Sequence, residues 1–296
     1  MQFFTLGGMD MVKEAEQKTQ SRRVRVRRKR KKKHVILRRL FLFFVVLVLF
    51  MHLRNQITER QLESGQSDPV SETLHTMVDS LENHTPNWLD ASYPDSIRKL
   101  YKNNPEARKY VKDFQEEKDK DHDKNISGEV KRGKIPLFLQ WDERWGYEQY
   151  GSDYLAVTGC GPTCLSMVYC GLSGSTAKNP YAVAKMAESN GFYVEGSGSS
   201  WSLMTDGAAL LGLSSHEVPF SEEQICAELE EGHPIIAVVG PGDFTTEGHF
   251  IVLTGCYEDG SIIVHDPNSR KRSKKHWELS TLMEQIQDLW AFTFTE

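Results

Sequence analysis

The sequence predicts an α+β domain in which helices lead and an antiparallel sheet follows, and three observations predict it. Between residues 159 and 232 the apolar residues recur at helical spacing and are punctuated by glycines that suit helix ends. After Pro234 the pattern changes to short β-rich runs at Ile235–Val239, Phe250–Tyr257, Ser261–His265 and Leu289–Phe294. Asp259-Gly260, between the second and third of these runs, is a hairpin dipeptide. Helices and strands are thereby segregated along the chain, the pattern of an α+β fold.

The 296 residues suffice for one domain with attachments. The net charge of −5 hides an asymmetry: residues 1–54 hold 15 Lys and Arg against 3 Asp and Glu, a local +12, which leaves −17 on the remainder. So acidic a remainder repels phosphate, which argues against a nucleic-acid partner. Arg22 to Lys33 is almost wholly basic, and the apolar stretch 35–53 that follows is near the length that spans a bilayer. Arg38 and Arg39 lie close enough to the basic end to snorkel. Basic residues before the span predict a cytoplasmic N-terminus (1–34) and an extracellular bulk. A cleaved signal peptide is the competing reading, but Arg54-Asn55-Gln56-Ile57-Thr58-Glu59 offers no small-x-small site. An uncleaved, single-pass signal-anchor is therefore expected, followed by a flexible polar stalk over 54–90.

Residues 91–133 read as a pair of short helices and an acidic linker: Ile97, Leu100, Tyr101 and Tyr110, Val111, Phe114 fall at helical spacing on either side of Asn104-Pro105. Asp119 to Asn125 has the alternating acids of a calcium loop but carries Lys124 where glycine is required and Val130 where a bidentate glutamate belongs. The globular domain spans 134–296. Its first helix follows Gly159 and ends near Gly171, a second covers Tyr181 to Asn190, and a third Leu203 to Leu211. A fourth opens on the capping box Ser221-Glu222-Glu223-Gln224 and ends at Gly232. Gly196 to Trp201 reads as a flexible groove wall.

Gly159-Cys160-Gly161-Pro162-Thr163-Cys164 is a tight turn running into a helix, so Cys160 meets the unpaired N–H groups and partial positive charge of a helix N-terminus, which favour a thiolate. Gly161 would let a substrate backbone approach. His249, heading one strand, and Asp266, closing the next, are joined through Asp259-Gly260, and a hairpin brings them to one end of the sheet. There Asp266 can accept a hydrogen bond from Nδ1 of the imidazole while Nε2 faces the thiol. Cys, then His, then Asp, with the Cys on a helix and its partners on strands, is the papain-type order. Gln140, upstream of the cysteine, would be the side-chain donor of an oxyanion hole. Gly161, Trp201 and Gly248 are candidates for the substrate groove. Five cysteines, three of them clustered at 160, 164 and 170, suit neither a disulfide framework nor a zinc site, and no metal or cofactor is expected.

Four stretches carry a family resemblance: Pro136 to Asp142 with Arg144-Trp145-Gly146, Gly159 to Thr163, Phe244 to Phe250, and Asp266 to Ser269. Residues 135–292 resemble the peptidase domain of the bacteriocin-processing, double-glycine type in its stand-alone, membrane-anchored form. The resemblance implies a papain-like cysteine peptidase fold with Cys160 as nucleophile, His249 as general base and acid, Asp266 orienting it and Gln140 in the oxyanion hole. Better-known members are fused to an exporter with an ATPase, whereas no Walker motif occurs here. Three functions follow: a surface thiol peptidase acting on a peptide, a cell-wall amidase or endopeptidase with the same site logic, and a non-catalytic module that grips a peptide or wall polymer. A thiolate with its own base favours an enzyme, and the basic tract Arg270 to Lys275 offers a contact for an anionic polymer.

Overall fold

A computed structural model describes residues 86–294. The basic N-terminus, the expected span 35–53 and most of the stalk lie outside the described residues; among those described, no helix is long and apolar enough to cross a membrane.

The chain is already packed at Leu89, which is buried, and at Trp88, which meets Tyr93 and Tyr101 edge-on, so the last residues assigned to the stalk belong to the fold. Two helices follow, α1 (Asp95–Asn103) and α2 (Arg108–Glu117). They break apart at Asn104 because Pro105 forces the residue before it into extended backbone, and the Asn104 side chain then caps the next turn by accepting from Glu106 N–H. Ile97, Leu100, Tyr110, Val111 and Phe114 share one apolar cluster with Leu139, Trp141, Tyr147 and Ala156, so the helical hairpin is docked on the main domain. Lys124, in the would-be calcium loop, is ion-paired to Asp121 and Glu148.

After a small ribbon of β1 (Gln149–Tyr150) and β2 (Asp153–Tyr154) comes one turn, α3 (Leu155–Thr158), and then the central helix α4 (Cys160–Ser173). Gly161 to Val168, Cys170 and Gly171 are all buried, so α4 is enclosed by protein along most of its length. It ends at Gly174 in the left-handed conformation. Helix α5 (Pro180–Ser189) packs beside it, followed by the ribbon β3 (Tyr193–Val194) and β4 (Gly198–Ser199). The helix expected over Leu203 to Leu211 is instead a 3₁₀ turn, Trp201–Met204, and a single turn α6 (Asp206–Ala209), separated at Thr205.

Six strands form one antiparallel sheet, ordered β5 (Leu213–Glu217), β10 (Ile286–Phe294), β6 (Ile235–Val239), β7 (His249–Cys256), β8 (Ser261–His265) and β9 (His276–Glu278). Edge strand β5 comes from the helical half of the chain, so the segregation of helices and strands is incomplete. Helix α7 (Glu222–Glu230), with Ser221 as its N-cap, and the short α8 (Leu279–Met283) cover the face of the sheet opposite α4. Both faces are therefore buried. Ile236, Val238, Phe250 and Val252 point toward α4, while Ile235, Ala237, Ile251 and Leu253 point toward α7. This explains why β6 reads as an unbroken apolar run rather than an alternating one. The architecture is α+β and papain-like.

Candidate active site

The nucleophile's position follows from local sterics. Gly159 leads into α4 at φ −88°, and a Cβ there would lie 2.3 Å from the Leu155 carbonyl oxygen, so only glycine allows the turn α3 to pass directly into α4. Cys160 is the first residue of α4 and is half-buried. Gly161 has a different task from the expected one: a Cβ on it would stand 2.7 Å from Ser199 Oγ, so its missing side chain admits the β3–β4 ribbon. Ser199 is in turn held by the Tyr150 hydroxyl at 2.8 Å. The wall over Gly196 to Trp201 is thus a braced ribbon.

The β7–β8 hairpin brings His249 and Asp266 together. Val252 pairs with His265, which puts the head of β7 beside the tail of β8, and His249 Nε2 donates to Asp266 Oδ1 at 2.8 Å. The expected ring orientation is reversed: Nε2 serves the carboxylate, which leaves Nδ1 for the thiol of Cys160. Asp266 is fully buried and fully engaged. Its Oδ1 also accepts from Asn268 N–H at 2.7 Å, and its Oδ2 accepts from Arg272 Nε. Arg272 is the functional neighbour that the sequence reading missed. It lies in the basic tract read as a polymer contact, but it turns inward and also stacks over the Phe244 ring at 5.8 Å. A carboxylate six residues before an arginine, across a Pro-Asn turn, was the available signal.

The electrostatics favour an ion pair. Burial pushes the Cys160 thiol up, but the His249 hydrogen bond and charge, with the amides of Phe250 and Gly161, outweigh it and hold the thiol below its ordinary value. Burial pulls His249 down, and the charge and hydrogen bond of Asp266, reinforced by Cys160, overcome this and raise it to about 10. Asp266, though burial raises it, is held below the usual carboxylate range by His249 and Arg272. The arrangement can supply a thiolate nucleophile beside an imidazolium acid.

Gln140 is buried next to the turn that precedes the nucleophile. Its backbone N–H donates to the Pro267 carbonyl at 2.8 Å, tying it to the Asp266 loop. Its side-chain Nε2 donates to the carbonyls of Ala156 at 2.8 Å and Val157 at 3.1 Å, and its Oε1 has no hydrogen-bond partner among the described residues. Both amide hydrogens are thus occupied in the free protein. Of the groove candidates, Gly248 adjoins His249 with open space where a Cβ would point, and Trp201 is exposed and rests edge-on against Trp290.

Asp266 belongs to a loop held from outside the sheet. Asn104 Nδ2 donates to the carbonyl of Asn268 at 2.8 Å and to its side-chain oxygen at 2.7 Å. Trp141 Nε1 donates to the same carbonyl. The Glu106 carboxylate accepts from Ser269 Oγ and from the amides of Arg270 and Lys271. The loop between Asp266 and Arg272 is therefore clamped by the hairpin turn that joins α1 to α2.

A papain-like fold thus places Cys160 at a helix N-terminus, with His249 and Asp266 at the adjoining ends of neighbouring strands of the sheet. Residues 132–293 match the Peptidase_C39 like family, and the chain belongs to it. The chain is also similar to a solved C39-like peptidase from Bacillus anthracis, with 14% identity over 56% of this chain and 98% of that one and a TM-score of 0.33. No curated protein matches the chain.

Proposed function

We propose that the protein is a membrane-anchored cysteine peptidase, exposed outside a bacterial cell, that hydrolyses peptide bonds by a Cys-His-Asp mechanism. The observation that carries this reading is the hydrogen bond between His249 and the fully buried Asp266, together with the Cys160 thiol at the start of α4, whose titration His249 lowers. The Cys160 thiolate attacks the scissile carbonyl, and the backbone N–H of Cys160, free at the helix start, faces the developing oxyanion. Gln140 joins it by releasing the Val157 carbonyl, the longer of its two contacts. His249 gives its proton to the leaving amine and, neutral, then activates the water that cleaves the thioester. Asp266 stabilises the imidazolium and fixes the ring. The basic tract 22–33 followed by the apolar stretch 35–53 supports the anchor and the orientation.

The full-length chain, incubated with a peptide library that includes Gly-Gly before the scissile bond, is expected to cleave peptides. Cys160→Ala abolishes this, and His249→Ala lowers it by about 10³-fold or more. If His249→Ala leaves both hydrolysis and alkylation of Cys160 unchanged while the fold is intact, the reading is wrong. Release of fragments from cell wall in place of peptides would move the substrate class to wall amides. Protease shaving of whole cells tests the orientation, and a soluble chain starting just after Leu53 would overturn the anchor.

A further inference from the structure

Cys226 lies on α7 and Cys256 ends β7, thirty positions apart, and no spacing rule connects them. In the fold both pack, half-buried, against the same apolar layer, where the Cys226 thiol stands close enough to Cys256 to act on its titration; the Cys256 S–H itself donates to the Tyr257 carbonyl at 3.6 Å. A backbone irregularity puts Cys256 on that side of the sheet. Along β7, Ile251 and Leu253 face α7, so strict alternation would turn Cys256 away from that helix. Between Leu253 and Gly255, however, β7 carries an extra residue relative to β8: Leu253 pairs with Val264, Gly255 with Ile263, and Cys256 with Ile262. This bulge shifts the phase by one and aims Cys256 at the α7 face, where Ile262 and Val264 also lie. The pair stands at the far end of β7 from His249, about 23 Å along the eight-residue strand, and takes no part in the chemistry of Cys160.

We infer that Cys226 and Cys256 are a disulfide-forming pair that staples helix α7 to the strand carrying His249. The oxidant is a small-molecule disulfide. One thiolate of the pair attacks it and expels one small thiol, and the second protein thiolate then attacks the mixed disulfide and expels the other. Two protein thiols become one disulfide, and the small disulfide is reduced to two thiols that take up the two protons. Cys256 is pushed up to about 12 by burial, then by Cys226 and by the charges of Glu230 and Asp259, so the thiol pair persists at neutral pH until an oxidant arrives. The bond would close a loop of about 30 residues, large enough to stabilise the fold appreciably.

The test exposes the full-length chain to oxidised glutathione, denatures it in N-ethylmaleimide and maps the peptides. The expected result is a linked peptide pair containing Cys226 and Cys256, with Cys164 and Cys170 alkylated singly. Recovery of Cys226 and Cys256 on separate peptides, alkylated or carrying glutathione, would overturn the proposal. A second measurement separates bonding from packing: the oxidised chain should melt about 5 °C or more above the reduced chain. Cys226→Ser and Cys256→Ser should each abolish that redox-dependent difference. If either variant retains it, the staple is not between these two residues. Neither readout depends on peptidase activity.

Discussion

Cys160 and Cys164 lie one helical turn apart and differ in chemistry because of what each thiol touches. Cys164 is fully buried and donates its S–H to the Phe250 carbonyl at 3.3 Å, and burial, with the charges of Cys160 and Asp266, pushes it well above the ordinary thiol range. Iodoacetamide at neutral pH should therefore modify Cys160 first, and peptide mapping that finds Cys164 modified before it would refute the assignment. The two partners also set a pH profile. With Cys160 held below its ordinary value and His249 raised to about 10, both shifts favour the thiolate–imidazolium pair. Hydrolysis should fall as pH rises through about 10, where the imidazolium loses the proton it must give to the leaving group, while alkylation of the thiolate should not fall there. The fold follows the same sign. The stability supplied by His249 is complete below 6.5 and is lost as pH rises through about 10, whereas that supplied by Asp266 is present above 3.8 and is lost as pH falls through its lowered value. Asp266→Asn keeps an acceptor for Nε2 but removes the charge that His249 and Arg272 share. Turnover should drop about 10-fold to 100-fold, with its alkaline limit moved to lower pH. Thermal stability should fall as well, but by less than the roughly 3–5 kcal/mol of orphaning a fully buried charge, because Arg272 reaches solvent.

At the scale of elements, α4 and the β3–β4 ribbon fit closely where Gly161 faces Ser199. Gly161→Ala brings a methyl group to 2.7 Å from Ser199 Oγ and 2.9 Å from Ser199 Cβ, so the helix start must shift. The expected cost is about 1–3 kcal/mol, measured as a thermal midpoint several degrees lower, together with slower alkylation of Cys160. An unchanged midpoint would mean that the ribbon moves freely. The elements that were legible in the sequence are those whose signals are local. Ile235–Val239 and Ser261–His265 form as read, Ser221 caps α7 through Gln224 N–H, and Asp259-Gly260 turns the hairpin with Gly260 at φ +79°. What stayed hidden depends on partners distant in the chain. Strand β5, Leu-Ser-Ser-His-Glu, is mostly polar because it lies at the sheet edge, and only its pairing with β10 makes it a strand. At the site, residue types and order pointed to Cys160, His249 and Asp266. The nitrogen that faces Asp266, the inward turn of Arg272 and the meeting of Cys226 with Cys256 are products of packing and of one bulge, which leave no local pattern.

Across the whole folded unit, the α1–α2 hairpin does more than precede the peptidase domain. Its Asn104 and Glu106 hold the loop that carries Asp266, through contacts 164 residues apart in sequence. Glu106→Gln weakens an anchor that accepts from two amides and a hydroxyl without touching the reacting groups. The expected result is a loss of turnover of a few-fold, with the His249 limb of the pH profile displaced because Asp266 is less firmly aimed, and with Glu106→Asp restoring part of both. A loss of thermal stability with an unmoved pH profile would assign the hairpin a purely architectural part. The same contacts mean that the limits of family likeness and the limits of independent folding are different places on this chain. The match starts at residue 132, but a fragment cut there would leave Leu139, Trp141 and Tyr147 more exposed to water and the Asn268 and Ser269 loop without its Asn104 and Glu106 contacts. The smallest piece that can be expected to work as a unit begins before Leu89, and a lineage that shed this hairpin would have needed another way to hold its aspartate.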